Sequence, residues 1–155
     1  MRIALCDDDA AARHLLLEYL REYCQNKGVS VTFEEFENGE SFLQSASDFD
    51  IIFMDIYLKD KNGIETATQY RGLRHSCIVF VTASNDFAAE AFGLNAVHYL
   101  LKPVTKAGAA DAMDQDVAGA LSGQRIVFGR IATRPGAGPQ RLREQQVGAG
   151  IGLQA

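Results

Sequence analysis

Apolar residues gather in four short runs, at residues 2–6, 51–54, 77–81 and 97–101, each flanked by polar or turn residues. A continuous rather than alternating run marks a strand covered on both faces. Val31, Phe33 and Phe36 predict a weaker, half-exposed strand. Ala12, Leu16, Leu20, Tyr23 and Cys24 recur at three- and four-residue steps, which predicts an amphipathic helix with Gly28 placed as its C-cap. Short helices are predicted over 40–46, 64–71 and 87–94, and a last one opens near Thr105, where Met113, Val117 and Leu121 step by four. Strand and helix alternate five times. Parallel strands joined by right-handed helical crossovers give a doubly wound α/β sheet.

Composition divides the chain. Of its 155 residues, 47% are hydrophobic, enough for a core, yet no apolar run approaches the ~18 residues of a membrane helix. Acids follow the first run at once, so the N-terminus does not read as a secretory signal, and a cytoplasmic setting is expected. Cys6, Cys24 and Cys77 lie far apart without a paired Cys or His, which disfavours a disulfide scaffold or a zinc site. Residues 1–118 hold 10 basic and 19 acidic side chains, whereas 119–155 hold five Arg, no Lys and one acid, with 8 of the 14 glycines. We therefore read one acidic domain over 1–121 and a Gly/Arg-rich tail over 122–155. A tail shorter than ~40 residues does not form a second domain unaided. It reads as a linker stub or disordered segment, with a partner-binding segment or a change of reading frame as alternatives; within it only Ile126, Val127 and Phe128 look able to pair.

Doubly wound sheets carry their sites at the C-terminal ends of the strands. Here the first run is followed by Asp7, Asp8 and Asp9, the third strand by Asp55, the fourth by Thr82 and the fifth by Lys102 and Pro103. Gathered carboxylates repel, by about 4 kcal/mol per pair at ~4 Å and an effective dielectric of ~20. A hard divalent ion such as Mg²⁺, with oxygen ligands, offsets that repulsion. Lys102 adds a movable cation that can pair with a carboxylate or a phosphoryl oxygen. A carboxylate can also serve as a nucleophile and become an aspartyl phosphate. The set therefore points to Mg²⁺-assisted phosphoryl transfer. Asp9 suits a helix N-cap instead, while its neighbours bind.

Leu5-Cys6-Asp7-Asp8, Phe53-Met54-Asp55 with Gly63 eight residues on, Val81-Thr82-Ala83 and Tyr99-Leu100-Leu101-Lys102-Pro103 together resemble the receiver domain of bacterial two-component response regulators. The stretches from Phe87 to Phe92 and from Asn95 to Val104 are most similar to receivers that carry a LytTR-type DNA-binding domain. The resemblance covers roughly residues 1–121. It implies a flavodoxin-like (βα)5 fold with strand order 2-1-3-4-5, and a signalling domain rather than an enzyme in the ordinary sense. It also implies Asp55 as phosphoacceptor, Mg²⁺ on Asp7, Asp8, Asp55 and the backbone carbonyl of Tyr57, and Thr82 and Lys102 on the phosphoryl group. Tyr99 would be the switch aromatic, and a cis peptide is expected between Lys102 and Pro103. The implied partner is a sensor histidine kinase, with a phosphorylation-dependent homodimer through the fourth helix, fifth strand and fifth helix. DNA enters only if an output domain lies outside this chain; no membrane partner is implied.

Two positions depart from the pattern: Lys59 stands where many receivers have Pro, which could loosen the loop from Asp55 to Gly63, and His98 where many relatives have Asp. A stand-alone receiver acting through protein contacts is the alternative reading. An aspartyl-phosphate phosphatase fits less well, because Ile56 and Tyr57 follow Asp55 where its second acid would be. A nucleotide-binding domain would need a Gly-rich loop after the first strand, and acids stand there.

Overall fold

The apolar runs become strands because each can be covered twice. In the computed structural model, which describes residues 1–45, 47–71, 76–94, 98–122 and 130–132, they form β1 (Arg2–Cys6), β3 (Ile51–Met54), β4 (Cys77–Thr82) and β5 (His98–Leu101). The half-exposed β2 (Thr32–Phe36) lies at one edge, as its weaker pattern predicts. The helices are α1 (Ala10–Lys27), α2 (Gly39–Gln44), α3 (Gly63–Arg71), α4 (Ala88–Gly93) and α5 (Lys106–Ser122).

Pairing is parallel throughout, in the order β2-β1-β3-β4-β5, which matches the expected doubly wound topology. A further short strand, β6 (Arg130–Ala132), runs parallel along the outer edge of β5, opposite His98 to Leu100. The reading of 122–155 as linker did not include it, because three residues are too few for a periodicity to register. Residues 126–128, where pairing was expected, lie outside the described residues.

Alternate side chains of the central strands enter two separate cores. Ala4, Cys6, Ile52, Met54, Ile78, Phe80 and Tyr99 pack with Phe42, Ala67, Tyr70 and Ala91 from α2, α3 and α4. Ile3, Leu5, Ile51, Phe53, Val79, Val81 and Leu100 pack with Leu16, Leu20 and Cys24 of α1 and Ala109, Ala112 and Met113 of α5. Cys6, Cys24, Met54 and Met113 are all buried in these cores.

Local signals set the ends of α1. Asp9 caps it, its Oδ1 accepting from the N–H groups of Ala11 (3.0 Å) and Ala12 (3.2 Å). Gly28 ends it at φ 65°, in the left-handed region, with its N–H on the carbonyls of Cys24 and Gln25. A Cβ on Gly28 would meet no atom within 4 Å, so only backbone strain opposes substitution there. Gly28→Ala is accordingly expected to lower stability by about 1 kcal/mol without changing the fold, measured by urea denaturation.

Candidate functional site

Register builds the site. Cys6 lies opposite Met54, so the next residues, Asp7 and Asp55, leave the sheet side by side, and the Asp55 N–H donates to the Cys6 carbonyl at 2.9 Å. Thr82 lies opposite Leu101, and the Lys102 N–H donates to the Thr82 carbonyl at 2.8 Å. Four chain segments therefore end on one rim with their polar residues adjacent.

Carboxylate oxygens of Asp7, Asp8 and Asp55 all lie within 4.8 Å of one another. Lys102 Nζ bridges two of these acids, at 2.8 Å from Asp7 Oδ2 and 3.0 Å from Asp55 Oδ2. The free Oδ1 of each is also engaged: Asp7 accepts from the Asp9 N–H at 2.9 Å, and Asp55 from the Tyr57 N–H at 3.1 Å. Asp7 and Asp55 are buried, and Asp8 is half-buried. Three hard oxygen donors around one lysine leave surplus negative charge, a donor set that fits a divalent cation such as Mg²⁺. The buried Thr82 Oγ1 has no hydrogen-bond partner among the described residues, so a donor stands ready for an added acceptor.

Electrostatics follow from burial. Burial pushes the Asp7 carboxyl up from its ordinary 3.8, and the hydrogen bonds from Lys102 and Asp9 only partly oppose this. Burial alone would depress Lys102, but its bonds to Asp7 and Asp55 win and raise it above 10.5. Cys6, beside the acids, is pushed up to about 12 by burial and then by the charges of Asp60, Asp7 and Asp55, so it is a neutral thiol and not a nucleophile.

The loop after Asp55 is firmly held. A Cβ on Gly63 would stand 2.0 Å from the Asp55 carbonyl oxygen, so only glycine permits this approach. Tyr57 pairs with Asn62 in an antiparallel bridge, and the Gly63 N–H donates to the Ile56 carbonyl at 2.8 Å. Asp60 reaches across to α2, accepting from the N–H groups of Gly39 and Glu40 at 3.0 Å each. Although burial works against it, these N–H groups hold the Asp60 carboxyl below its ordinary range. Lys59 therefore does not leave this loop unanchored.

Of the remaining predicted residues, Tyr57 exposes its side chain and sets its ring edge-on to Phe87, centroids 5.7 Å apart. Tyr99 is buried and donates its hydroxyl to the Ser84 carbonyl. The Lys102–Pro103 peptide is cis, as expected. His98 is buried in β5, His14 is exposed beside Glu18, and His75 lies outside the described residues. Two residues escaped the sequence reading. Asp60 acts on a helix that begins 21 residues earlier, and Arg13 binds the Asp7 carbonyl at 2.6 Å. Neither contact leaves a spacing signature; a lone Arg in the first turn of a helix, where the dipole disfavours cations, is the faint sign of the second.

Among known proteins, the family described as response regulator receiver domain matches residues 3–114. The transcriptional regulatory protein LytR of Staphylococcus aureus is 34% identical over 134 residues, covering 79% of this chain and 53% of that protein. The sensory transduction protein LytR of Staphylococcus epidermidis is 38% identical over 110 residues, covering 68% of this chain and 42% of that protein. The chain thus spans about half the length of these curated relatives. The response regulatory domain of protein mrkE from Klebsiella pneumoniae gives a TM-score of 0.69 at 26% identity, covering 80% of this chain and 100% of that one. Response regulator protein TrrA from Thermotoga maritima, solved in complex with Mg(2+)-BeF, shares the fold with a TM-score of 0.64 at 24% identity, covering 74% of this chain and 97% of that one.

The Asp7 shift has a measurable consequence. A carboxyl whose folded pKa is raised stabilises the fold below its unfolded value, and loses that contribution as pH rises through the folded value. Asp7→Asn in the presence of EDTA should therefore melt above the unaltered protein at pH 7, with the gap closing as pH falls below the ordinary 3.8. Lys102, raised above 10.5, follows the same sign at higher pH: its contribution is present at neutral pH and is lost only in strong alkali. Thermal melts across pH check both windows.

Proposed function

The chain belongs to the response regulator receiver domain family, and on that premise we propose that it accepts a phosphoryl group on Asp55 from a sensor histidine kinase in the cytoplasm and switches conformation to control an output. The observation that carries this reading is the Asp55 carboxylate: bonded to Tyr57 N–H and Lys102, and within 4.8 Å of the Asp7 and Asp8 oxygens. No helix among the described residues is long and apolar enough to cross a membrane.

Asp7, Asp8, Asp55 and the main-chain carbonyl of Tyr57 would hold Mg²⁺, whose contribution when bound is to neutralise charge on the phosphoryl oxygens. An Asp55 oxygen attacks phosphorus in line; the new O–P bond forms as the N–P bond of the phosphohistidine breaks, and its electron pair leaves with the imidazole nitrogen. Lys102 then exchanges an Asp55 carboxylate oxygen for a phosphoryl oxygen. Thr82 Oγ1, buried without a partner among the described residues, donates to another. The product carries nearly two negative charges.

Only a difference in how Thr82 and Lys102 bind that group in two conformations can shift the population, and passing from 1:99 to 99:1 takes about 5.5 kcal/mol. Tyr99 joins β5 to the β4–α4 loop through the Ser84 carbonyl, two residues beyond Thr82. Movement of Thr82 can pass along that contact to α4. The output is transcription where the whole protein carries a DNA-binding region, as the name of the Staphylococcus aureus relative suggests; alone, the domain acts by protein contact. Self-association through α4, β5 and α5 fits this readout. Because Arg130–Ala132 already lines the β5 edge, that association must displace or accommodate it.

Two outcomes test these points. Incubation with phosphoramidate and Mg²⁺ should label the unaltered chain, and Asp55→Asn should reduce labelling to background; persistent labelling at another residue refutes the assignment. Sedimentation velocity of the beryllofluoride-treated protein should give a dimer, whereas an unchanged monomer at high concentration counts against self-association.

A further inference from the structure

Arg13 sits in the first turn of α1, where the helix dipole disfavours a cation, so its place needs a reason in tertiary contacts. Its side chain is only 11% exposed. Nη1 donates to the Asp7 main-chain carbonyl at 2.6 Å, and Nε donates to Glu35 Oε1 on β2 at 3.0 Å. Glu37 stands 3.9 Å from Nη2. The guanidinium lines the same small cavity as Asp7 and Asp55. It touches no carboxylate of the acidic trio; it holds the backbone between two of them.

The acids of the trio are fixed by different means. Asp7 and Asp55 are held by their own side-chain hydrogen bonds. The Asp8 carboxylate accepts none from the described residues, yet its oxygen lies within 4.8 Å of the other two. Its direction is set by the Asp7–Asp8 peptide, because a planar peptide fixes where the next Cα and its side chain begin. The Asp7 N–H donates to the Phe36 carbonyl at 3.1 Å, and the Asp7 carbonyl is gripped by Arg13. A planar guanidinium anchored to Glu35 is suited to this clamp, since its donors diverge at fixed angles.

We infer that Arg13 is a positioning residue that clamps the Asp7–Asp8 peptide and so presents the Asp8 carboxylate to a divalent cation. This rests on the reading of the acidic trio as a Mg²⁺ site. Arg13 acts on cation binding and not on phosphoryl transfer, which separates it from Lys102. Residues that orient metal ligands from behind typically change metal affinity by roughly 10- to 100-fold when removed.

The test is a calorimetric titration of the full chain with Mg²⁺, alongside phosphoramidate labelling at saturating Mg²⁺. Arg13→Ala should weaken Mg²⁺ binding by about tenfold and leave the labelling rate at saturation within about twofold. Arg13→Lys, which can keep the carbonyl bond but not the fork to Glu35, should recover part of the affinity. Glu35→Gln, which frees the other end of the guanidinium, should weaken binding in the same direction but less, and it serves if Arg13→Ala does not fold. In metal-free protein, hydrogen exchange of the Asp9 amide, bonded to Asp7 Oδ1, should quicken in Arg13→Ala. Unchanged Mg²⁺ affinity in a folded Arg13→Ala, or a lower saturated rate with unchanged affinity, overturns the inference. If the unaltered chain binds no Mg²⁺, it is the metal-site reading that fails, and the metal-free exchange experiment then decides the clamp by itself.

Discussion

A single ammonium group holds the rim of this sheet together. Lys102 Nζ lies 2.8 Å from an Asp7 oxygen and 3.0 Å from an Asp55 oxygen, in a place where two buried carboxylates would otherwise repel. At such separations the repulsion is several kcal/mol even at a protein-like dielectric. The bridge makes the pairing tolerable without fixing it permanently, because a lysine on a flexible stem can change partners. On the function proposed above, the site must stay folded without phosphate and accept one when offered, and it needs a counter-charge of that kind.

Everything needed to build the bridge is a property of parallel register. Strands buried on both faces carry few polar residues along their length, so polar residues collect where the strands stop. Cys6 opposite Met54, and Thr82 opposite Leu101, bring Asp7 to Asp55 and the Lys102 backbone to Thr82. Gly63 then allows the following loop to close on the Asp55 backbone, since any Cβ there would overlap the carbonyl oxygen. A one-residue slip of β5 would move Lys102 off the rim and turn Tyr99 out of its core.

Sequence order was enough to place Asp7, Asp55, Thr82 and Lys102 because each stands at or just past the end of a strand that its apolar run identifies. Asp9 was legible as a cap for the same reason, standing just before the first helical residue. Residues whose roles depend on side-chain paths between elements were not legible. Asp60 reaches α2 across 21 residues of sequence, and Arg13 curls back from a helix whose pattern speaks only for its apolar side. Lys59 shows the converse. Its replacement of an expected proline suggested a looser loop, but the Tyr57–Asn62 bridge, the Gly63 N–H and the Asp60 carboxylate hold that loop regardless. The sixth strand was invisible because three residues cannot display a period, and only its pairing with His98 to Leu100 defines it.

The two cations near the acids divide the work along the lines of their chemistry. Arg13 has a rigid fork, is held at both ends by the Asp7 carbonyl and Glu35, and is nearly sealed from water. Such a group suits a part that must not move. Lys102 is a point charge, more exposed at 20%, and is shared between two carboxylates that compete for it. On the proposed function, a phosphoryl group brings nearly two further negative charges to Asp55; the lysine can then follow the charge while the arginine keeps Asp7 and Asp8 in place. Exchanging the two residue types would reverse this arrangement: a rigid fork at position 102 would lock the resting ion pair, and a flexible ammonium at position 13 would let the Asp7–Asp8 backbone drift. The fold thus separates what must move from what must stay still by the stiffness of two side chains of the same charge.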